Sequence, residues 1–411
     1  MSPQPTISRL GRREREPVGK GIEETDDEKM GGEKADEWNA SRRAESAVQF
    51  TSAGRLHFTP EAAPDTMTFT VTVQPSGAVF NVDRDEAILA AAIRQGIGLP
   101  YGCKDGACGS CKSRIVHGRV IHGAHQPRAL SEAEEAAGFT LTCCAAPQTD
   151  IILEARTVAG AGEFPPRKMP TRVSSIVRAA PDVAILQMQL PANDPMRYRA
   201  GQYVEFILPD GARRSYSMAN APHTVTDKPS IELHIRHLPG GKFTDRVFST
   251  LKEKEILRIE GPFGSFFLRE DSTKPMLLLA SGTGFAPIKA IIEHIEAKGI
   301  ERPMVLYWGC RSLEDLYLHS WALDAAARLP QLSYIPVLSE PRPADGWTGR
   351  TGFVHHAVMA DLPDLIGHQV YACGAPLMVE AAQRDFTSLC QLPAGEFFAD
   401  SFTSEADKVH P

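Results

Sequence analysis

Three cysteines, Cys103, Cys108 and Cys111, are separated by four and two residues, and a fourth candidate, Cys143, follows after a gap of 31. Bringing four thiols to one point forces a tight loop for the first three and the return of a later strand to that loop. The segment Tyr101-Gly-Cys-Lys-Asp-Gly-Ala-Cys-Gly-Ser-Cys suits the task, because Gly102, Gly106 and Gly109 accept dihedrals other residues avoid. Small Ala107 and Ser110 leave backbone amides free to face sulfur. The 411-residue chain holds eight cysteines, and in a chain of this length ligation explains these four better than a disulfide framework does.

The C-x4-C-x2-C…C spacing is that of a plant-type 2Fe-2S ferredoxin. A loop zinc site would favour two C-x2-C knuckles, and only one such pair exists. Such a cluster moves one electron at a time, so the rest of the chain is read for where electrons enter and leave.

A hydrophobic content of 42% and a charged content of 23% are those of an ordinary soluble protein, and the net charge of -7 offers no basic surface for nucleic acid. No apolar run approaches the ~20 residues of a membrane span. Arg9, Arg12, Arg13 and Arg15 near the N-terminus precede no apolar core of a signal peptide. A cytoplasmic monomer is expected, with no membrane span and no nucleic-acid partner.

Residues 1–66 are about one third charged, with both signs mixed and Gly, Pro and Ser throughout, so a disordered extension is expected there. A misassigned start codon explains that extension better than an inert tail, a regulatory arm or a transit peptide; the acidic residues from Glu14 onward oppose the last of these. A period-two strand beginning at Met67 opens a domain expected over 67–157, with a helix over 86–95. Residues 158–170 read as a linker. Short alternating strands between Pro and Gly turns predict an antiparallel β-barrel over 171–270. From 271 to 411, the strand Met276-Leu-Leu-Leu-Ala, a helix over 286–298 and the strand Met304-Val-Leu-Tyr-Trp predict an α/β doubly wound sheet.

Three stretches carry nucleotide chemistry. In Arg214-Ser-Tyr-Ser217, strand parity puts Arg214 and Tyr216 on one face, a cation and an aromatic ring together. Downstream, Gly240, Gly241 and Thr244 can open a helix whose free amides receive a diphosphate. In Ser281-Gly-Thr-Gly-Phe-Ala-Pro287, Gly282 and Gly284 keep a strand-to-helix turn tight around Thr283, and Pro287 suits a first helical turn. Pro287 stands where a Rossmann fingerprint has its third glycine, which argues against a standard dehydrogenase. The next strands end in Gly309-Cys-Arg311 and Ser339-Glu340; Arg311 could bind either nicotinamide nucleotide, whereas Glu340 would repel a 2′-phosphate, so NADH is favoured over NADPH. The pairs His122/His125, His234/His237 and His355/His356 read as surface or packing residues, and Cys310 and Cys390 as core.

Taken in order, these motifs resemble bacterial reductases of the ferredoxin-NADP reductase superfamily that carry an N-terminal ferredoxin domain. The resemblance runs from Met67 to the C-terminus and includes Gly282-Thr-Gly-Phe-Ala-Pro287, Cys373-Gly374-Ala-Pro376 and the closing Glu396-Phe-Phe-Ala-Asp-Ser-Phe402. Segments such as Gly211-Ala-Arg-Arg-Ser-Tyr-Ser-Met-Ala-Asn-Ala-Pro222 are similar to the group called CDP-6-deoxy-delta-3,4-glucoseen reductases. The resemblance implies a β-grasp ferredoxin domain of α+β class, FAD rather than FMN, Ser217 near flavin N5, Cys373 beside the nicotinamide, and a closing aromatic strand near the flavin. Adjacent side chains on an extended segment point oppositely, so one of Cys143 and Cys144 faces the cluster. The match of Leu141, Cys143, Ala145 and Pro147 to the family's Leu-x-Cys-Gln-Ala-x-Pro makes Cys143 the ligand.

The expected activity is passage of electrons from NADH through FAD to the cluster and on to a protein acceptor, either an oxygenase or a deoxysugar dehydratase component. The acceptor is expected to dock over the loop around Cys103 to Cys111. Two alternatives stand beside it, a free flavin or ferric reductase and a nonenzymatic redox sensor.

Overall fold

The computed structural model describes residues 67–227 and 229–404. The disorder expected over 1–66 lies outside the described residues. Three large sheets follow one another along the chain, in the order the patterning predicts, and a two-stranded one, Val120–His122 with Ala145–Pro147, lies within the first domain.

The first is a five-stranded mixed sheet in the order Ala78–Asp83, Thr68–Gln74, Ile151–Glu154, Lys112–His117, Phe139–Leu141. Its opening hairpin turns at Gly77, which adopts φ +73°. Thr68–Gln74 then pairs in parallel with Ile151–Glu154, the last strand of the domain. Alternation explains the core: Val71, Val73, Phe80 and Val82 are buried on one face. The helix Ile88–Arg94 covers that face with Ile88, Leu89, Ala91 and Ala92, the spacing of one helical side. The cluster loop bridges this helix and the strand Lys112–His117.

The second sheet has six antiparallel strands in the order Arg213–Ser217, Tyr203–Ile207, Ile256–Phe263, Arg167–Ala180, Val183–Gln189, Ser230–Arg236. A bridge between Met218 and Leu233 joins its two ends, so the sheet closes as a barrel and leaves no long open edge. Its first strand begins at Arg167, inside the segment read as a linker, because residues 167–172 pair with 256–261. The interior is filled by Val173, Leu186, Val204, Phe206, Ile231 and Leu233.

The third sheet is wholly parallel, in the order Arg350–Thr351, Leu332–Leu338, Met304–Cys310, Met276–Ser281, Gln369–Gly374, Phe397–Ser401. Strand order reverses between Met276–Ser281 and Gln369–Gly374. A crevice therefore opens beyond their carboxyl ends, which is where ligands of doubly wound sheets bind. Both nucleotide motifs, at Gly282 and at Gly374, begin at that point. Among the described residues, no helix is long and apolar enough to cross a membrane.

Candidate functional site

At the cluster loop, the amide of Cys103 donates to Cys108 Sγ at 3.4 Å and the amide of Cys108 donates to Cys103 Sγ at 3.3 Å. Cys143 reaches both Cys103 and Cys111 by side-chain hydrogen bonds. Contact with Cys108, then with Cys143, draws the Cys103 thiol below its usual range, and contact with Cys143 does the same for Cys111. The four sulfurs thus converge, with thiolate character favoured at two of them. This donor set fits a 2Fe-2S cluster. Cys144 touches Cys143 as well, and its thiol donates to the Leu141 carbonyl at 3.7 Å. Gly106 has φ +74°, and a Cβ there would stand 2.9 Å from the Ala124 carbonyl oxygen, so the loop closes only with glycine.

One arm of this loop is packed against the barrel. Tyr203 Oη donates to the Gly102 carbonyl at 2.8 Å, and the Gly264 amide donates to Tyr101 Oη at 2.8 Å. Lys104 Nζ pairs with Glu205 at 2.9 Å and lies 3.5 Å from the centre of the Phe263 ring. The Tyr101 to Lys104 arm of the loop thus packs against the protein's own barrel. Tyr203 and Phe263 are core residues shared with the first domain, which is why period-two reading of each domain alone missed the contact.

Where the three domains meet, Ser217 Oγ donates to Asp400 Oδ2 at 3.3 Å. Asp400 is buried, and burial pushes its carboxyl up to about 7, with the Ser217 bond opposing and the Cys103 sulfur adding to the rise. A Cβ on Gly102 would lie 3.5 Å from Asp400 Oδ1 and 3.4 Å from Cys108 Sγ, so this carboxylate adjoins the cluster loop. Cys373 sits beside Asp400 in the sheet register and is fully buried, which holds its thiol well above the usual range. Sequence reading placed Ser217 and Cys373 but not Asp400. An acidic residue inside the apolar run Phe397-Phe-Ala-Asp-Ser401 was the available signal.

The flavin motif lies on the strand Arg213–Ser217. Alternation sends Arg213 to Glu205 at 2.8 Å and Glu260 at 2.7 Å, and leaves Arg214 on the face of Tyr216. The Tyr216 ring lies 5.9 Å from Phe206 and 5.5 Å from Phe243, which fixes it at the barrel wall. Gly240 has φ +81° with open space where a Cβ would be, and its amide donates to Asp245 Oδ2 at 3.1 Å. Gly241 caps the helix Lys242–Ser249. Thr244 does not face outward as a ligand group would: it is buried, and its hydroxyl donates to the Leu238 carbonyl at 2.9 Å, holding the Gly240 turn closed.

The nicotinamide motifs interlock. A Cβ on Gly284 would stand 2.2 Å from the Cys373 carbonyl oxygen, and one on Gly374, at φ +132°, would stand 2.3 Å from Ser281 Oγ. Only glycine at both positions lets the two strand ends close on each other. Thr283 is buried between them. The helices Phe285–Lys298, with Pro287 in its first turn, and Pro376–Leu389 then start side by side and aim their free amides at the same crevice. These features fit a dinucleotide diphosphate. Arg311 is largely exposed, and its carbonyl accepts the amide of exposed Glu340 at 2.8 Å.

The histidine pairs part company. His122 and His125 share the carboxylate of Glu135 at 3.0 and 2.9 Å. His234 is buried between Glu232 and Tyr317, whereas His237 stacks on Phe248 with ring centres 4.6 Å apart. His355, His356 and Asp385 bring their donor atoms within 4.8 Å of one another.

Comparison with known proteins agrees with this division. Three family models match: a 2Fe-2S iron-sulfur cluster binding domain over residues 71–148, an oxidoreductase FAD-binding domain over 170–268 and an oxidoreductase NAD-binding domain over 278–384. The CDP-6-deoxy-L-threo-D-glycero-4-hexulose-3-dehydrase reductase of Yersinia pseudotuberculosis is 40% identical over 82% of this chain and 99% of its own length. The phenol 2-monooxygenase reductase component DmpP of a Pseudomonas species is 34% identical over 83% of this chain and 96% of its own. Among solved structures, the Amycolatopsis cytochrome P450 reductase GcoB is 33% identical, with a TM-score of 0.67 over 82% of this chain and 99% of that one. The chain therefore belongs to the NAD(P)H-dependent iron-sulfur flavoprotein reductases, whose ferredoxin, FAD-binding and NAD-binding domains carry electrons from a nicotinamide to a protein partner.

Proposed function

We propose that this protein draws electrons from NADH and delivers them singly to a dehydratase that acts on a nucleotide-linked deoxysugar, an acceptor of the kind named for the Yersinia relative. The observation that carries the reading is the continuous contact from Cys373 through Asp400 to Ser217 and Gly102, which brings the nicotinamide, flavin and cluster domains to one point. When bound, FAD converts one two-electron delivery into two single-electron ones, and the 2Fe-2S cluster carries those singly.

The chain's own residues bind, orient and shield. Cys103, Cys108, Cys111 and Cys143 hold the cluster, supported by the convergence of their sulfurs. Arg214 supplies a cation for the flavin diphosphate, Tyr216 an aromatic wall, and Gly240 and Gly241 a backbone surface that Thr244 keeps in shape. Gly282, Thr283, Gly284 and Pro287 form one side of the nicotinamide crevice, Gly374 and Pro376 the other, and Arg311 its rim. Ser217 and Cys373 face the reacting centre. Asp400 accepts the Ser217 hydroxyl at Oδ2 and so orients it, and burial pushes its carboxyl up to about 7. Glu340 beside Arg311 favours NADH; a strong preference for NADPH in kcat/KM would overturn that argument.

With the Tyr101 to Lys104 arm covered, the acceptor docks on the other side of the cluster, over Cys143, Cys144 and the His122 to Gln126 loop. An oxygenase acceptor is the second reading, favoured by the likeness to DmpP and GcoB. We assign this protein as a cytoplasmic monomer. The test is reconstitution: NADH, this protein and a purified dehydratase should turn over only when the cluster is present. Equal turnover by cluster-free protein would make it a free flavin reductase instead.

A further inference from the structure

The helices Val354–Asp361 and Pro376–Leu389 pack against each other beside the parallel sheet. Val354, Ala357 and Val358 of the first share one core with Ala382 and Phe386 of the second, so both backbones are held in place. The first helix is pinned at its start as well, since a Cβ on Gly309 would stand 2.7 Å from Val354 Cβ. Three side chains with metal-binding donors converge on this pair. His355 and His356 lie in the first turn of one helix and Asp385 in the third turn of the other, and one donor atom from each falls within 4.8 Å of the rest.

These donors are oriented but not satisfied. His355 is buried, and its Nδ1 has no hydrogen-bond partner among the described residues. Its Nε2 stands 3.6 Å from Asp385 Oδ2, too far for a hydrogen bond. Two ligands on one tetrahedral ion, with bonds of about 2.1 Å, stand about 3.4 Å apart, so this spacing suits a shared ion. Asp385 is buried too, and Arg384 Nε donates to its Oδ1 at 2.8 Å, which aims the carboxylate and leaves Oδ2 facing His355. The His356 ring is centred 4.1 Å from that of His355 and reaches solvent. A histidine buried only to pack would turn its ring nitrogens to partners. Sequence spacing hides the arrangement, because the third donor arrives from a separate helix.

We propose that His355, His356 and Asp385 form a site for a zinc-like divalent transition-metal ion, which ties the helices Val354–Asp361 and Pro376–Leu389 together. Two imidazoles and one carboxylate favour such an ion over magnesium or calcium, which take mainly oxygen. Three protein donors leave one tetrahedral position, and exposure at His356 opens it to water. The site stands apart from the cluster, flavin and nicotinamide motifs and does not rest on the electron-transfer reading. The NAD-binding match ends at residue 384 and so stops short of the carboxylate.

The experiment titrates zinc chloride into the full holoprotein, with FAD and cluster in place and magnesium chloride as the control. Calorimetry should show about one zinc per chain and no comparable magnesium binding, and zinc should raise the Tm. His356→Ala changes an exposed side chain; it should weaken zinc at least about tenfold, remove the zinc-dependent rise in Tm and leave the NADH-ferricyanide rate unchanged. His355→Gln and Asp385→Asn should weaken zinc as much, with FAD absorbance reporting that they have folded. Cys144→Ser should bind zinc as the wild type does, which separates this site from the thiols of the cluster loop. Wild-type protein that binds no zinc, or binds magnesium equally well, overturns the proposal. So does unchanged zinc binding in His356→Ala, or its loss in Cys144→Ser.

Discussion

Ser217 and Asp400 lie 183 residues apart in the chain, and the hydroxyl of the first donates to the carboxylate of the second at 3.3 Å. One ends the barrel strand Arg213–Ser217 and the other lies on the closing strand of the parallel sheet. The pair acts as a unit, so Ser217→Ala and Asp400→Ala should each lower NADH-ferricyanide kcat by about a hundredfold. The double variant should be no slower than the slower single one. Additive losses in the cycle would separate the two residues.

Cys373 is buried, and burial with the nearby Asp400 keeps it a thiol. It should therefore resist alkylation in the native protein at pH 8. Cys373→Ala should slow flavin reduction by NADH about tenfold, through loss of positioning, without changing the cluster spectrum. Stopped-flow absorbance separates the two signals, and loss of the cluster band would contradict the assignment.

Cys143 and Cys144 are neighbours with different surroundings. Cys143→Ser should abolish cluster absorbance while FAD stays bound, whereas Cys144→Ser should retain the cluster. Iron and acid-labile sulfide analysis of both variants decides between them.

The Tyr203 to Gly102 bond and the Lys104 to Glu205 ion pair hold the cluster loop on the barrel. Lys104→Glu sets two like charges together and should slow electron delivery to cytochrome c about tenfold, since ångström-scale misplacement can cost up to about a hundredfold. The NADH-ferricyanide rate, which bypasses the cluster, should change little. A parallel fall in both rates would mean that the loop contact serves the flavin site instead.

Lys289 is buried between Glu232 at 3.1 Å and Glu293 at 2.6 Å, and joins the barrel to the parallel-sheet domain. Burial alone would raise the Glu232 carboxyl, but the His234 bond and the Lys289 charge hold it down at about 2. A depressed carboxyl contributes stability above its unfolded value of 4.5 and loses it as pH falls toward 2. Lys289→Met should cost about 3 kcal/mol at pH 7 by removing the buried cation between two half-buried carboxylates. Thermal melts should show that deficit shrinking below pH 4.5, and a pH-independent deficit would point to packing instead.

Local chemistry made much of this protein legible in its sequence. Cysteine spacing, the Gly282 turn and the strand parity of Arg214 and Tyr216 are constraints within a few residues, and so they survive without a fold. Thr244 shows the limit of such reading, because a hydroxyl beside a glycine pair can serve a ligand or its own loop, and here it serves the loop.

By itself, the sequence determined three modules, their order and the groups each can hold. Tertiary structure alone decided that Asp400 meets Ser217 and that Tyr203 and Lys104 seal one side of the cluster loop. The physical reason is that these contacts join strand ends from different sheets. Periodicity tells which face of an element is buried, but the partner waiting at its end depends on how closed sheets pack together.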